Sequence, residues 1–225
     1  MTVSFVGAES AEATSLSTMP THAKNDLLVM FFFRAASANV TAPTGWAVME
    51  QRSASTGGNR VIGVAYKIAT SSSETSGTWT NANMLTCAVL RDDVDYLVLG
   101  GASFTGSSTS TVSYAAISAK NTANVTTKLI GDSSIMLLYG AALTNNTTMQ
   151  QTPTGCTTQH NAVLATYEAV VHTTDAAAAS RTASSITADV AVTTSTYVVE
   201  VFDTGVAKSS GGGFRLVNIR GGADQ

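Results

Sequence analysis

The sequence predicts an all-β protein: a jelly-roll-like antiparallel β-sandwich built from two similar four-strand units, with a C-terminal extension. Three observations predict it. Apolar residues recur with the period of two that a strand imposes. No segment sustains the i, i+3, i+4, i+7 apolar spacing of a capped helix. Short sequence features recur in the same order roughly a hundred residues apart, the mark of a repeated unit.

The strands follow in order. Residues 27–33 are apolar on both faces, as expected of a central strand covered on two sides. Ile62, Val64, Tyr66 and Ile68 alternate with Gly63, Ala65 and Lys67, the pattern of a half-buried strand. Residues 84–90, 96–99, 135–139, 163–171 and 197–202 also read as strands. Between them lie turn-forming clusters at residues 55–59, 70–76, 105–110 and 145–146. The Ala run at 176–179 is too short to be a helix of its own.

Four pairs of features carry the repeat. Asn25-Asp26-Leu27-Leu28-Val29 is answered by Gly131-Asp132-Ser133-Ser134-Ile135, and Pro43-Thr44-Gly45-Trp46 by Pro153-Thr154-Gly155-Cys156. Val64-Ala65-Tyr66-Lys67 is answered by Ala165-Thr166-Tyr167-Glu168, and Val89-Leu90-Arg91-Asp92 by Glu200-Val201-Phe202-Asp203. Residues 1–205 therefore read as one sandwich, with units at about 20–105 and 125–205; a four-strand sheet alone leaves an apolar face unburied, and packing two together covers both. Residues 206–225 form a Gly-rich linker followed by an arm. In the arm, Phe214, Arg215, Leu216, Val217, Ile219 and Arg220 partly alternate apolar and polar. On a flexible tether such a strand adds to the edge of a neighbouring subunit's sheet or completes its own domain.

Only 12% of residues are charged, against about a quarter in an average soluble domain. A surface so poor in charge is weakly protected against association, which suits a protein covered by neighbours in an assembly. The net charge of −3 comes without a basic cluster, so no nucleic-acid partner is expected. The longest apolar run, 27–33, is far short of the roughly 20 residues needed to cross a bilayer, so no membrane partner is expected. The first residues lack the basic-then-apolar pattern of a secretory signal, and synthesis in a cytoplasm is the expectation. Cys87 and Cys156 are too few for a disulfide scaffold; pairing is open, and buried free thiols are the favoured reading.

Nothing in the sequence marks an enzyme, and no cofactor or metal is expected. His22, His160 and His172 have no zinc spacing. Cys156 and His160 fall on one face of a strand but too far apart to share an ion, and read as a buried thiol and an exposed imidazole. Asp92, Asp93 and Asp95 lack the glycine and glutamate of a calcium loop and read as solvated turn residues. No G-x-S-x-G elbow or phosphate loop occurs. Trp46 and Trp79 read first as core residues, and Trp79, set among threonines, is the candidate exposed contact aromatic.

The order of these pieces carries a resemblance. An Asp26-to-Val29 strand leads to Thr41-Ala42-Pro43-Thr44-Gly45-Trp46, then to Val64-Ala65-Tyr66-Lys67-Ile68-Ala69, to Ser76-Gly77-Thr78-Trp79-Thr80, and to Ala88-Val89-Leu90-Arg91 with its Asp-Asp-Val turn. This resembles a β-sandwich module of tailed-phage virion proteins, of the minor-tail or decoration kind, over roughly residues 1–205. The resemblance implies a bacteriophage virion structural protein without catalytic residues. The first expectation is a capsid decoration or cement protein bound to the major capsid protein. The second is a minor tail or tail-tip/fibre protein contacting the host, and the third is a carbohydrate-binding β-sandwich. Assembly as a homo-oligomer, a trimer or another cyclic form, is expected with either structural role.

Overall fold

A computed structural model describes residues 3–54, 59–92, 95–107, 111–118, 135–143, 151–175, 180–181, 184–187 and 193–207. In the first half of the chain lie β1 (Ser4–Ala11), β2 (Leu27–Arg34), β3 (Ala47–Ala54), β4 (Arg60–Ile68) and β5 (Met84–Arg91). There follow β6 (Asp95–Ser107), β7 (Thr111–Tyr114), β8 (Ile117–Ser118), β9 (Ile135–Ala142) and β10 (Cys156–Val163). The last are β11 (Glu168–Thr174), β12 (Ser180–Arg181), β13 (Ser184–Thr187) and β14 (Thr194–Ala207).

The first sheet has the order β1-β5-β2-β4-β3 and the second, read from its far edge, β6-β14-β9-β11-β10. Every ladder is antiparallel. The two orders are the same arrangement of five strands. The similar units therefore have five strands rather than four: β1 lies before the expected start at 20, and β6, which the sequence places in the unit 20–105, belongs to the second sheet. The chain completes the first sheet before it enters the second.

The correspondence holds residue by residue. Phe31 lies between Val64 and Thr86, as Tyr139 lies between Val171 and Tyr197. Trp46 N–H donates to Pro43 C=O at 3.3 Å, and Cys156 N–H donates to Pro153 C=O at 3.1 Å. In both turns the glycine, Gly45 or Gly155, takes the left-handed φ (92° and 70°) that favours this residue. The ladders align Leu27 with Ile135, so Asp26 corresponds in sequence to Ser134 rather than Asp132, which lies outside the described residues. Val64 aligns with Val171 and not with Ala165.

The inward faces meet in one core. Leu27, Val29, Phe31 and Phe33 of β2 pack with Leu137, Tyr139 and Ala141 of β9 and with Tyr197, Val199 and Val201 of β14. The outward faces are covered too. Leu28, Met30 and Phe32 lie under Leu16, Trp46 and Trp79 from the connecting loops. Met136, Leu138 and Val198 lie under Val112 and Tyr114 of β7 and Ile186 of β13. This double cover explains why β2 is apolar at nearly every position. It also corrects the half-buried reading of β4, which is buried on both faces from Arg60 to Ala65.

Two further expectations change. Residues 163–171 are not one strand: β10 ends at Val163, and Leu164 N–H donates to Tyr167 C=O at 2.9 Å in a tight reversal. Asp92 is buried, at 1% exposure, rather than solvated. Asp93 lies outside the described residues, and Asp95 opens β6.

Candidate functional site

The candidate contact aromatic is a core residue. Trp79 is 0% exposed. Its ring packs 5.3 Å from Phe32 and 5.4 Å from Trp46, and its Nε1–H donates to Ser76 C=O at 3.0 Å. Its backbone N–H donates to Thr14 C=O at 2.7 Å, binding two loops together over the sheet. The flanking threonines suggested exposure, but the loop folds inward because the outward face of the first sheet needs a large apolar lid. The arm residues Phe214, Arg215, Leu216, Val217, Ile219 and Arg220 lie outside the described residues.

The polar side chains that do come together join segments of the fold. Arg91 donates to Asp26 through two nitrogens, at 2.8 and 2.6 Å, and Asp26 also accepts Ala23 N–H at 2.7 Å. A carboxylate at 1% exposure is tolerable with this forked partner. Lys67 pairs with Glu74 and lies over the Trp46 ring, 5.3 Å from its centroid. Burial alone would raise the Glu74 carboxyl. Hydrogen bonds from Lys67 and from the Thr70 hydroxyl and N–H, with the Lys67 charge, outweigh it and bring the pKa down to about 2. His22 Nε2 accepts Glu74 N–H at 3.1 Å, so its Nδ1–H donates to Pro20 C=O at 2.7 Å. Between the sheets, Arg60 donates to Ser195 Oγ at 2.8 Å and Thr194 C=O at 3.1 Å.

Cys156 and His160 do not share a face. A bulge between Thr158 and His160 adds one residue to β10 and reverses the side of every residue after it. Cys156 packs under the outer cover of the second sheet, while His160, half-buried, shares a 2.9 Å hydrogen bond with Ser10 Oγ of the first sheet. Burial lowers the His160 pKa, and nearby Glu9 opposes that shift. Cys87 lies on the outer face of the first sheet, so the sandwich separates the two cysteines, and they do not form a disulfide with each other. Among the described residues no group of three or more His, Cys, Asp or Glu side chains could hold a metal ion.

With both faces of each sheet covered, the accessible backbone lies on the edge strands β1 and β3, β10 and β6. Ser10 and His160 bring β1 beside β10 at one rim, and β3 lies beside β6 at the other. All four edge strands carry an irregularity that places an extra residue on the edge side. The bulges of β1 and β6 fall at corresponding places, between Phe5 and Gly7 and between Leu99 and Ala102. Those of β3 and β10 correspond as well, between Val48 and Glu50 and between Thr158 and His160. Bulges break the flat hydrogen-bonding edge on which copies would otherwise pair without limit.

β1, like β6 with Asp95, carries acid and no base, whereas β3 carries both signs and β10 has no Asp, Glu, Lys or Arg. The acid of β1 is Glu9, which is exposed, and Glu12 follows it, with no Lys or Arg before Lys24. The β1 strand had a sequence signal in its β-prone start, Val3-Ser4-Phe5-Val6. The Ser10–His160 contact had none, since 150 positions separate its partners. No protein-family model, no curated protein and no solved structure matches the chain.

Proposed function

We propose that the chain is a structural protein of a tailed-phage virion, made in the bacterial host cytoplasm, that decorates the capsid and cements neighbouring shell subunits through surface complementarity. One observation carries this reading: each sheet is covered on both faces, so contacts with other molecules fall to edges and rims. The charge-poor composition supports it, because such a surface tolerates cover by neighbours. The order of strand and turn motifs, from the Asp26 strand through the Pro-Thr-Gly turn to the Asp-Asp-Val turn, supports the virion assignment. The carbohydrate-binding reading loses its aromatic platform, since Trp46 and Trp79 are both in the core.

The test is binding of the purified protein to virions that lack it, followed by imaging. Density spread over the icosahedral shell is the expected result. Density confined to the tail or its tip would replace decoration with the host-contact role of a minor tail protein. Absence of binding to either would overturn the virion reading.

A further inference from the structure

We infer that the outer edge of β1 accepts the basic segment 214–220 of a second copy of this chain as an added strand. The inference rests on the assembly reading above and names the surfaces that would carry it.

Among the described residues β1 pairs on one side only, with β5, and beyond its bulge it is regular from Gly7 to Ala11. No residue of the strand is fully buried, so its free side is open to an incoming backbone. Charge selects the partner. Glu9 and Glu12 oppose pairing of two β1 edges, since like charges would face each other. The segment after β14 has the complementary sign: Lys208, Arg215 and Arg220, with no acid from 206 to 220. It also has the residue types of a strand in Phe214, Val217 and Ile219.

Reach selects a second copy over the chain's own segment. β14 lies next to β6, at the rim opposite β1. A strand beside β1 is four spacings across and one sheet over, roughly 22 Å in a straight line through the core. The seven steps from Ala207 to Phe214 span at most roughly 25 Å when fully extended, enough only for that straight line, which the packed core blocks. The path around the covered faces is longer still. A neighbour whose β1 rim faces the β6 rim of this copy has no such path to cover. Contacts of this head-to-tail kind close into a ring when the rotation allows it.

The experiment compares the full-length chain with two full-length variants by analytical ultracentrifugation at low salt. One variant carries Glu9→Lys and Glu12→Lys; the other carries Arg215→Glu and Arg220→Glu. The unaltered chain should associate, and added salt should weaken it. Each variant alone should associate at least about tenfold more weakly. An equimolar mixture of the two should associate again, because each supplies the surface the other lacks. Glu12 accepts Thr166 N–H at 2.8 Å, so Glu9→Lys alone is the second acceptor variant should the pair fail to fold. A monomeric unaltered chain, variants that associate normally, or a mixture that stays monomeric would each overturn the inference. Virion binding by the same proteins separates the two readings: a chain that binds virions but never self-associates keeps the proposed function and loses this inference.

Discussion

Phe31 and Tyr139 hold the same position in their two sheets and stack on each other, centroids 4.4 Å apart and planes 9° from parallel. Residues at equivalent positions meet each other only near an axis relating the two halves. The pairing of β1 with β10 at one rim and β3 with β6 at the other agrees with such an axis. The stack joins the halves at the centre of the core.

Phe31→Ala and Tyr139→Ala should each destabilise the fold by about 3–5 kcal/mol, the range for an aromatic removed from a packed core. The double variant should lose less than the sum, by about 0.5–1.5 kcal/mol, because the stack is lost only once. Urea unfolding of the four proteins measures this, and strict additivity would mean that the stack contributes nothing beyond burial.

Gly63 lies opposite Phe32 on the outward face of the first sheet. A Cβ there would meet Phe32 Cζ at 2.1 Å and Glu50 C=O at 2.8 Å. Gly63→Ala should therefore cost about 1–3 kcal/mol through overpacking. The cost should be smaller in a Phe32→Leu background, where the ring is gone, and thermal unfolding of the two pairs checks it. A stabilised Gly63→Ala variant would contradict this packing.

Glu74 links stability to pH. Its folded pKa of about 2 lies below its ordinary value of 4.5, so the unfolded chain takes up the proton first as pH falls. The stability it contributes is complete above about pH 5 and lost as pH falls toward 2. The difference in melting temperature between the unaltered chain and Glu74→Gln should be constant from pH 7 to 5 and close below that. A difference independent of pH would remove the Lys67–Glu74 pair from the account.

The thiols should be silent in the folded state. Burial pushes the Cys87 thiol well above its ordinary range, and Cys156 is 8% exposed. A thiol reagent should label neither quickly in native protein and both in denaturant. Mobility on denaturing gels should not change with reductant. Rapid native labelling of Cys87 would mean that the loop cover of the first sheet opens readily.

Strands with a strong pattern were legible: residues 27–33 and 84–90 fall within β2 and β5 because both faces of those strands demand apolar side chains. The Pro-Thr-Gly turn and the Val89-to-Asp92 match are in register between the halves; the turn is so because a left-handed glycine leaves little freedom of sequence, whereas Val89-to-Asp92 closes β5 and its counterpart lies inside β14. The Tyr66 and Tyr167 match is out of register: an apolar–aromatic pattern fits any strand, and Tyr167 lies in the reversal before β11. Trp79 reads first as core, and its place there is right, but the contact alternative stays open in the sequence because the lid over the first sheet is built from loops, whose burial leaves no periodic trace. The opposite faces of Cys156 and His160 depend on a single extra residue in β10, which spacing alone does not reveal.

The interrupted edges bear on how this protein avoids cross-β aggregation. A chain with 12% charged residues has little electrostatic repulsion between copies. Its central strands, LLVMFFFR and MLTCAVLR, are the kind of segment that stacks into fibrils when exposed. In the native fold they lie one or two strands in from an edge, guarded by bulged outer strands. Local loss of β1 would strip that guard from β5, so the resistance of this protein to fibril formation depends on its outermost strand rather than on its net charge.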